Sequence, residues 1–134
     1  MIFVDSSAWL ALADVRDANH SKAISCHRQL ARGSMGRLIT TDYVWDETLT
    51  LLRRHVGFDL ARTFYDEVTK GESVQPVWVS PEHFAEARAI FFRYRDKAWS
   101  FTDCTSFAVM RALSIEDAFT LDRDFEQAGF RVHP

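Results

Sequence analysis

Short apolar runs of strand length alternate with helix-forming segments along the whole chain, and this alternation restricts the fold more than any other feature. Ile2 to Asp5, Leu38 to Thr40, Val74 to Val79, Ala118 to Leu121 and Phe130 to Val132 read as strands. Ser7 to Ala13 reads as a helix with Ser6 or Ser7 as its cap, and Asp17 to Arg32 as a half-exposed helix ended by Gly33 and the loop Ser34-Met35-Gly36. A third helix runs from Asp42 to Val56 behind the cap Thr41. Gly57 closes it, and Asp59 caps a fourth that reaches Lys70. Ser80-Pro81-Glu82 combines a capping serine, a proline at the first helical position and an acid in the first turn, which starts a helix extending to Arg95. Thr102 is the expected cap of a helix from Asp103 to Leu113, and a short helix spans Asp122 to Ala128. A strand that must return through a helix rejoins its sheet in parallel, so the expected class is α/β, with a short, mainly parallel sheet covered on both faces.

A chain of 134 residues fits one domain, residues 1–134, and is long enough to bury a core without staples. It holds 47% hydrophobic and 26% charged residues, as globular chains do. No apolar stretch approaches the roughly 18 residues of a membrane span, and the start lacks the basic flank and long apolar run of a signal peptide, so a cytoplasmic location is expected. Cys26 and Cys104 are too few for a disulfide framework and have no zinc spacing. His20, His27, His55, His83 and His133 are scattered and do not pair as ligands. The net charge of -3 provides no global basic field, which weighs against a general DNA-binding protein but not against a nuclease with a local metal and a few arginines.

Acidic residues occupy positions where core elements would otherwise carry apolar side chains. Asp5 ends the first strand, Glu47 lies on the inward stripe of its helix with Tyr43, Val44, Thr50 and Leu51, Asp103 opens a helix, and Asp122 follows Phe119-Thr120-Leu121. Each has a simpler reading. Asp5 and Asp122 are suited to cap the helices after their strands, Asp103 to favour a helix dipole, and Glu47 to pair with Arg53 or Arg54. Asp46, turned about 100° from Glu47, reads as a solvated acid. One common cause covers all four: in parallel sheets ligands bind beyond the carboxyl ends of the strands, and carboxylates gathered there repel unless a cation joins them. Oxygen donors suit Mg²⁺ or Mn²⁺, with Asp5 and Asp103 the expected direct ligands and Glu47 and Asp122 completing the shell or holding a second ion. The fitting chemistry is phosphodiester hydrolysis, with Asp5, Glu47, Asp103 and Asp122 as the catalytic set.

The segments Val4-Asp5-Ser6-Ser7-Ala8-Trp9, Asp46-Glu47-Thr48-Leu49 followed by Arg53-Arg54, Ser100 to Met110 and Thr120 to Phe130 resemble PIN-domain ribonucleases of the VapC toxin type, in the same order and over nearly the whole chain. The resemblance implies a three-layer α/β/α PIN fold, Mg²⁺-dependent cleavage of RNA, a homodimer, and inhibition by a cognate antitoxin whose peptide inserts near the active site. It assigns the fourth acid to Asp122 in the Thr-x-Asp element, with Asp124 in support and Cys104 as a small buried residue facing the sheet. Thr120 and Ser7 are placed to orient ligands or attacking water, although as strand and cap residues they need no such role.

Other residue types have mixed readings. Arg53, Arg54, Arg93, Arg95, Lys97 and Arg111 are able to edge the pocket and hold phosphates, or simply to make surface ion pairs. Phe84, Phe91, Phe92, Tyr94 and Trp99 fit core or dimer surface better than a base-stacking platform. A receiver domain needs an acidic pair and a downstream lysine, and a haloacid-type phosphatase needs Asp-x-Asp at the first strand. Asp5-Ser6-Ser7 supplies neither. The remaining alternatives are an inactive PIN-like binding module and another metal-dependent phosphohydrolase or nuclease.

Overall fold

In the computed structural model, which describes residues 1–33 and 35–134, five strands form one parallel sheet in the order β3-β2-β1-β4-β5. The chain runs β1 (Ile2–Val4), α1 (Ser6–Ala13), α2 (His20–Arg32), β2 (Leu38–Thr41), α3 (Asp42–His55) and α4 (Phe58–Thr69). It continues through β3 (Val74–Val77), α5 (Pro81–Arg93), α6 (Phe101–Ala112), β4 (Asp117–Phe119), α7 (Asp124–Gln127) and β5 (Arg131–His133). This is the three-layer α/β/α architecture expected from the alternation of strands and helices.

The first two crossovers, through α1–α2 and α3–α4, step from β1 to β2 to β3. The next two, through α5–α6 and α7, place β4 and β5 on the other side of β1. Because such crossovers are right-handed, reversal of direction moves the helices from one face to the other. The helix contacts largely follow this division: α1 packs on α2 and α3, and α3 on α4, while α6 packs on α5 and α7, and only α3 and α6 touch between the two groups among the stronger contacts of the described residues. The sheet therefore reverses between β1 and β4, and a crevice forms beyond the carboxyl ends of those two strands.

Covering on both faces explains why the central strand is a continuous apolar run without polar alternation. Ile2, Phe3 and Val4 are completely buried. On one face Trp9 stacks on Trp45 at 5.2 Å and Tyr65 meets Trp45 edge-on at 5.0 Å. On the other, Phe107 meets Phe125 at 5.0 Å and Trp99 at 5.1 Å, both near right angles. These ring pairs fill the volume beside short strands that offer few side chains of their own. Pro76, which lacks an amide hydrogen, sits on the edge strand β3, where a donor is dispensable.

Several boundaries differ from the sequence reading, each for a local reason. Helix α2 begins at His20 because Asp14 to Asn19 is tied up in turns, in which the Asp17 carboxylate accepts the Asn19 amide. Helix α4 is capped by Gly57 at φ 91°, and Asp59 lies in its first turn without capping it. Helix α6 starts about half a turn earlier than Thr102 suggests, because Ser100 is the cap: it accepts the Asp103 amide while Asp103 accepts the Ser100 amide. β3 and β4 end sooner than expected, at Val77 and Phe119, and α7 is a single turn from Asp124. Ser34, part of the expected loop, lies outside the described residues.

Candidate active site

The first residue beyond β1 is Asp5, held in extended geometry at φ -89° and ψ 163° as the N-cap of α1. Its backbone amide donates to the Phe119 carbonyl on β4 at 3.1 Å, which fixes the residue at the point where the sheet reverses. One carboxylate oxygen, Oδ2, accepts from the Ser7 hydroxyl at 2.8 Å, the Thr120 hydroxyl at 3.0 Å and the Ser7 amide at 3.3 Å. The other, Oδ1, has only a long 3.5 Å contact from Ser6, whose hydroxyl donates at 2.7 Å to Glu47 Oε2 on α3. Asp5 is thus both the helix cap that its position suggested and a carboxylate with one oxygen left for a ligand.

Glu47 is half-buried and forms no ion pair with Arg53 or Arg54 among the described residues; Ser6 is its partner. Arg53 instead covers the Phe58 ring at 5.3 Å. Asp46 is exposed, as the helical periodicity requires.

Asp103 enters from α6. Its Oδ2 accepts the Ser100 amide at 3.0 Å, the reciprocal half of the capping box, so a local helix-start signal also aims an acid at the crevice. Burial pushes its pKa up to about 7, with the charges of Asp5 and Asp122 adding to the effect and the Ser100 bonds opposing it. Burial likewise raises Asp5, against the lowering effect of its donors. Asp122 follows β4, and its Oδ1 accepts the Asp124 amide at 2.9 Å, a tight turn that brings Asp124 to the same side. Oxygens of Asp103, Asp122 and Asp124 all lie within 4.8 Å of one another. Asp124 is itself raised, first by burial and then by the charge of Asp122, with Lys97 opposing.

The tight triad therefore contains Asp103 and Asp122 from the expected set together with Asp124, which the sequence reading had placed in support. Asp5 stands near enough for its charge to act on Asp103, and Glu47 connects through Ser6. A turn-forming Asp-x-Asp after a strand was the available signal for Asp124. Cys104 is completely buried with its thiol pushed up to about 11, first by burial and then by Asp103, and it takes no part in the cluster. Of the basic residues, Lys97 acts on Asp124, while Arg93 and Arg111 cover Tyr94 and Phe130 at 5.6 and 5.9 Å. Trp99 is buried, whereas Phe92 is 74% exposed.

The donor set fits a hard divalent cation. Every converging group is a carboxylate oxygen, and Asp103 is raised first by burial and then by the charges of Asp5 and Asp122, so ionising these acids together is costly without a positive partner. Asp122 also lines an open cleft of about 270 Å³ with Lys22, Arg123 and Val132. Larger cavities of about 590 Å³ near His27 and Arg37 and about 400 Å³ near Trp45 and Trp78 contain none of the clustered acids.

Comparison with known proteins agrees with this geometry. The PIN-domain family model matches residues 2–131. A 23S rRNA-specific endonuclease, VapC20 of Mycobacterium tuberculosis, is 35% identical over 130 residues, covering 97% of this chain and 95% of that protein. A VapC ribonuclease of Archaeoglobus fulgidus is 24% identical over 115 residues, covering 84% of this chain and 72% of that one. The crystal structure of the Mycobacterium tuberculosis VapC20, described as a toxin that cleaves the sarcin-ricin loop, superposes with a TM-score of 0.89 over the full length of both chains. With its parallel sheet, acidic crevice and family match over nearly all its residues, this chain belongs to the PIN-domain family and is of the VapC ribonuclease type.

Proposed function

We propose that this VapC-type ribonuclease is the toxin of a toxin–antitoxin pair, that residues 1–134 form one PIN domain, and that it hydrolyses RNA phosphodiester bonds with Mg²⁺, or Mn²⁺ in its place, at the site formed by Asp5, Glu47, Asp103 and Asp122. The observation that carries the reading is the convergence of acids from separate elements at the sheet reversal, with Asp103 raised to about 7 by burial and by neighbouring charge. When bound, the cation supplies an activated water and neutralises charge on the scissile phosphate. The chain's own part is positional. Asp5 offers its free Oδ1, Asp103 is aimed by the Ser100 capping box, Asp122 and Asp124 are set by the turn between them, and Glu47 is held by Ser6. Asp124 takes its place beside Asp122 as a further ligand or as the holder of a ligand water.

The relatives' names make ribosomal RNA the first substrate to test. A homodimer, a cognate antitoxin and a cytoplasmic site of action belong to the same reading. No helix is long and apolar enough to cross a membrane.

The test is to express wild type and Asp5→Ala in a bacterial host and map new RNA ends, then repeat the cleavage in vitro with Mg²⁺ or EDTA. Growth arrest and discrete cuts are expected from the wild type alone. Asp5→Ala should lose more than the roughly 10–100-fold expected for a group that merely supports a ligand. Equal cutting by the two proteins would overturn the catalytic assignment, and undiminished cutting in EDTA would overturn the metal assignment.

A further inference from the structure

Two hydroxyls and one carboxylate oxygen make a junction that the proposed chemistry does not itself require. Ser7 Oγ on α1 and Thr120 Oγ1 just beyond β4 stand 3.1 Å apart, and each lies within hydrogen-bond distance of Asp5 Oδ2. A hydroxyl has one proton. With both protons donated to Asp5, the two oxygens are left as acceptors, and the chain fills both: the Leu121 amide donates to Ser7 Oγ at 2.9 Å and the Asp122 amide to Thr120 Oγ1 at 3.0 Å. Every donor is thereby used, and Thr120 is completely buried. The arrangement joins residues 113 and 115 positions apart in sequence.

We propose that Ser7 and Thr120 are positioning residues that clamp the cation site, an inference that rests on the metal-site reading above. Among the described residues three donors occupy Oδ2, whereas Oδ1 carries a single long contact of 3.5 Å from the Ser6 hydroxyl, so Asp5 would ligate through Oδ1 in a fixed orientation. The same two hydroxyls hold the Leu121 and Asp122 amides, Thr120 by a local turn and Ser7 from α1, so the clamp ties the Asp122 loop to Asp5. Thr120 is itself anchored to the neighbouring strand β5. Its own amide is bonded to the His133 carbonyl at 2.9 Å, which leaves the side chain little freedom.

The experiment measures Mn²⁺ dissociation constants by electron paramagnetic resonance for wild type, Ser7→Ala, Thr120→Val, Thr120→Ser and the double variant Ser7→Ala/Thr120→Val, with melting temperatures taken in EDTA. Ser7→Ala and Thr120→Val are expected to weaken Mn²⁺ binding by roughly 10–100-fold, as loss of a group that orients a metal ligand does. Thr120→Ser, which keeps the hydroxyl, restores binding. The double variant falls short of the product of the single effects, because both hydroxyls act on one oxygen. Lower melting temperatures with unchanged Mn²⁺ affinity, or equal weakening by Thr120→Ser and Thr120→Val, would overturn the proposal. If Thr120→Val does not fold, Ser7→Ala alone decides, since alanine is well accepted inside a first helical turn. A wild type that binds no Mn²⁺ would instead defeat the metal-site reading, so the two failures are distinguishable.

Discussion

At the scale of the residue, the same side chains serve local structure and the proposed site together. Asp5 caps α1, Asp103 closes a capping box, and Asp122 accepts an amide within its turn, so none of these acids is explained by function alone. What sets them apart is electrostatic. An isolated first-turn acid gains from the helix dipole and has its pKa lowered, whereas Asp103 is raised from 3.8 to about 7, first by burial and then by Asp5 and Asp122. The consequence for stability follows from proton linkage. The folded state holds the Asp103 proton to higher pH than the unfolded chain, so its contribution is intact below about pH 4 and is lost as pH rises through about 7. In EDTA, urea unfolding should therefore show stability attributable to this group falling between these limits by at most about 4 kcal/mol at 1.36 kcal/mol per unit. Asp103→Asn should flatten that part of the profile, and Mg²⁺ should oppose it by favouring the ionised carboxylate. A profile identical in Asp103→Asn would remove the basis for treating this acid as strained by its neighbours.

At the scale of the element, helix starts determine where the chemistry is aimed. Ser100 was legible as a polar residue before an apolar run, yet Thr102 was the cap expected from sequence. The two differ by half a turn, and only the reciprocal bonds with Asp103 single out Ser100. Ser100→Ala is expected to cost about 1 kcal/mol of stability, as loss of a serine cap does, and to reduce cleavage beyond what that loss explains, because Asp103 is no longer held. Denaturant unfolding together with initial cleavage rates would separate the two effects, and a stability loss with full activity would count against the capping box as an aiming device. Gly57 provides a contrasting case at the start of α4. Its φ of 91° lies where side chains are strained, although nothing stands within 4 Å of an added Cβ. Gly57→Ala should accordingly destabilise by about 1 to 3 kcal/mol through backbone strain alone, without altering metal affinity. The addition of Asp124 beside Asp122 also belongs to this scale: the turn in which Asp122 accepts the Asp124 amide brings that second carboxylate within 4.8 Å of Asp103.

At the scale of the whole molecule, the site exists only because the sheet reverses between β1 and β4. Asp5, Asp103 and Asp122 belong to separate stretches of chain whose charges act on one another only in the folded state, and Glu47 is tied to Asp5 through Ser6. A cation bound there binds the folded protein and not the unfolded one, so it stabilises by mass action. Melting temperature should rise with Mg²⁺ concentration, with about 2.7 kcal/mol gained at a hundredfold excess over the dissociation constant, and Asp5→Ala/Asp103→Ala should abolish the dependence. An unchanged concentration dependence in the double variant would place the cation elsewhere. By itself the sequence determined the fold class, the order of strands and helices, the family and the acids worth attention, because hydrophobic period, capping residues and local motifs are properties of neighbouring positions. Only tertiary structure decided that Asp124 joins Asp103 and Asp122, that Glu47 reaches Asp5 through Ser6, and that Ser7 and Thr120 meet on one oxygen. Those relations depend on which strands lie side by side and on rotations of less than a turn, and no spacing along the chain encodes them.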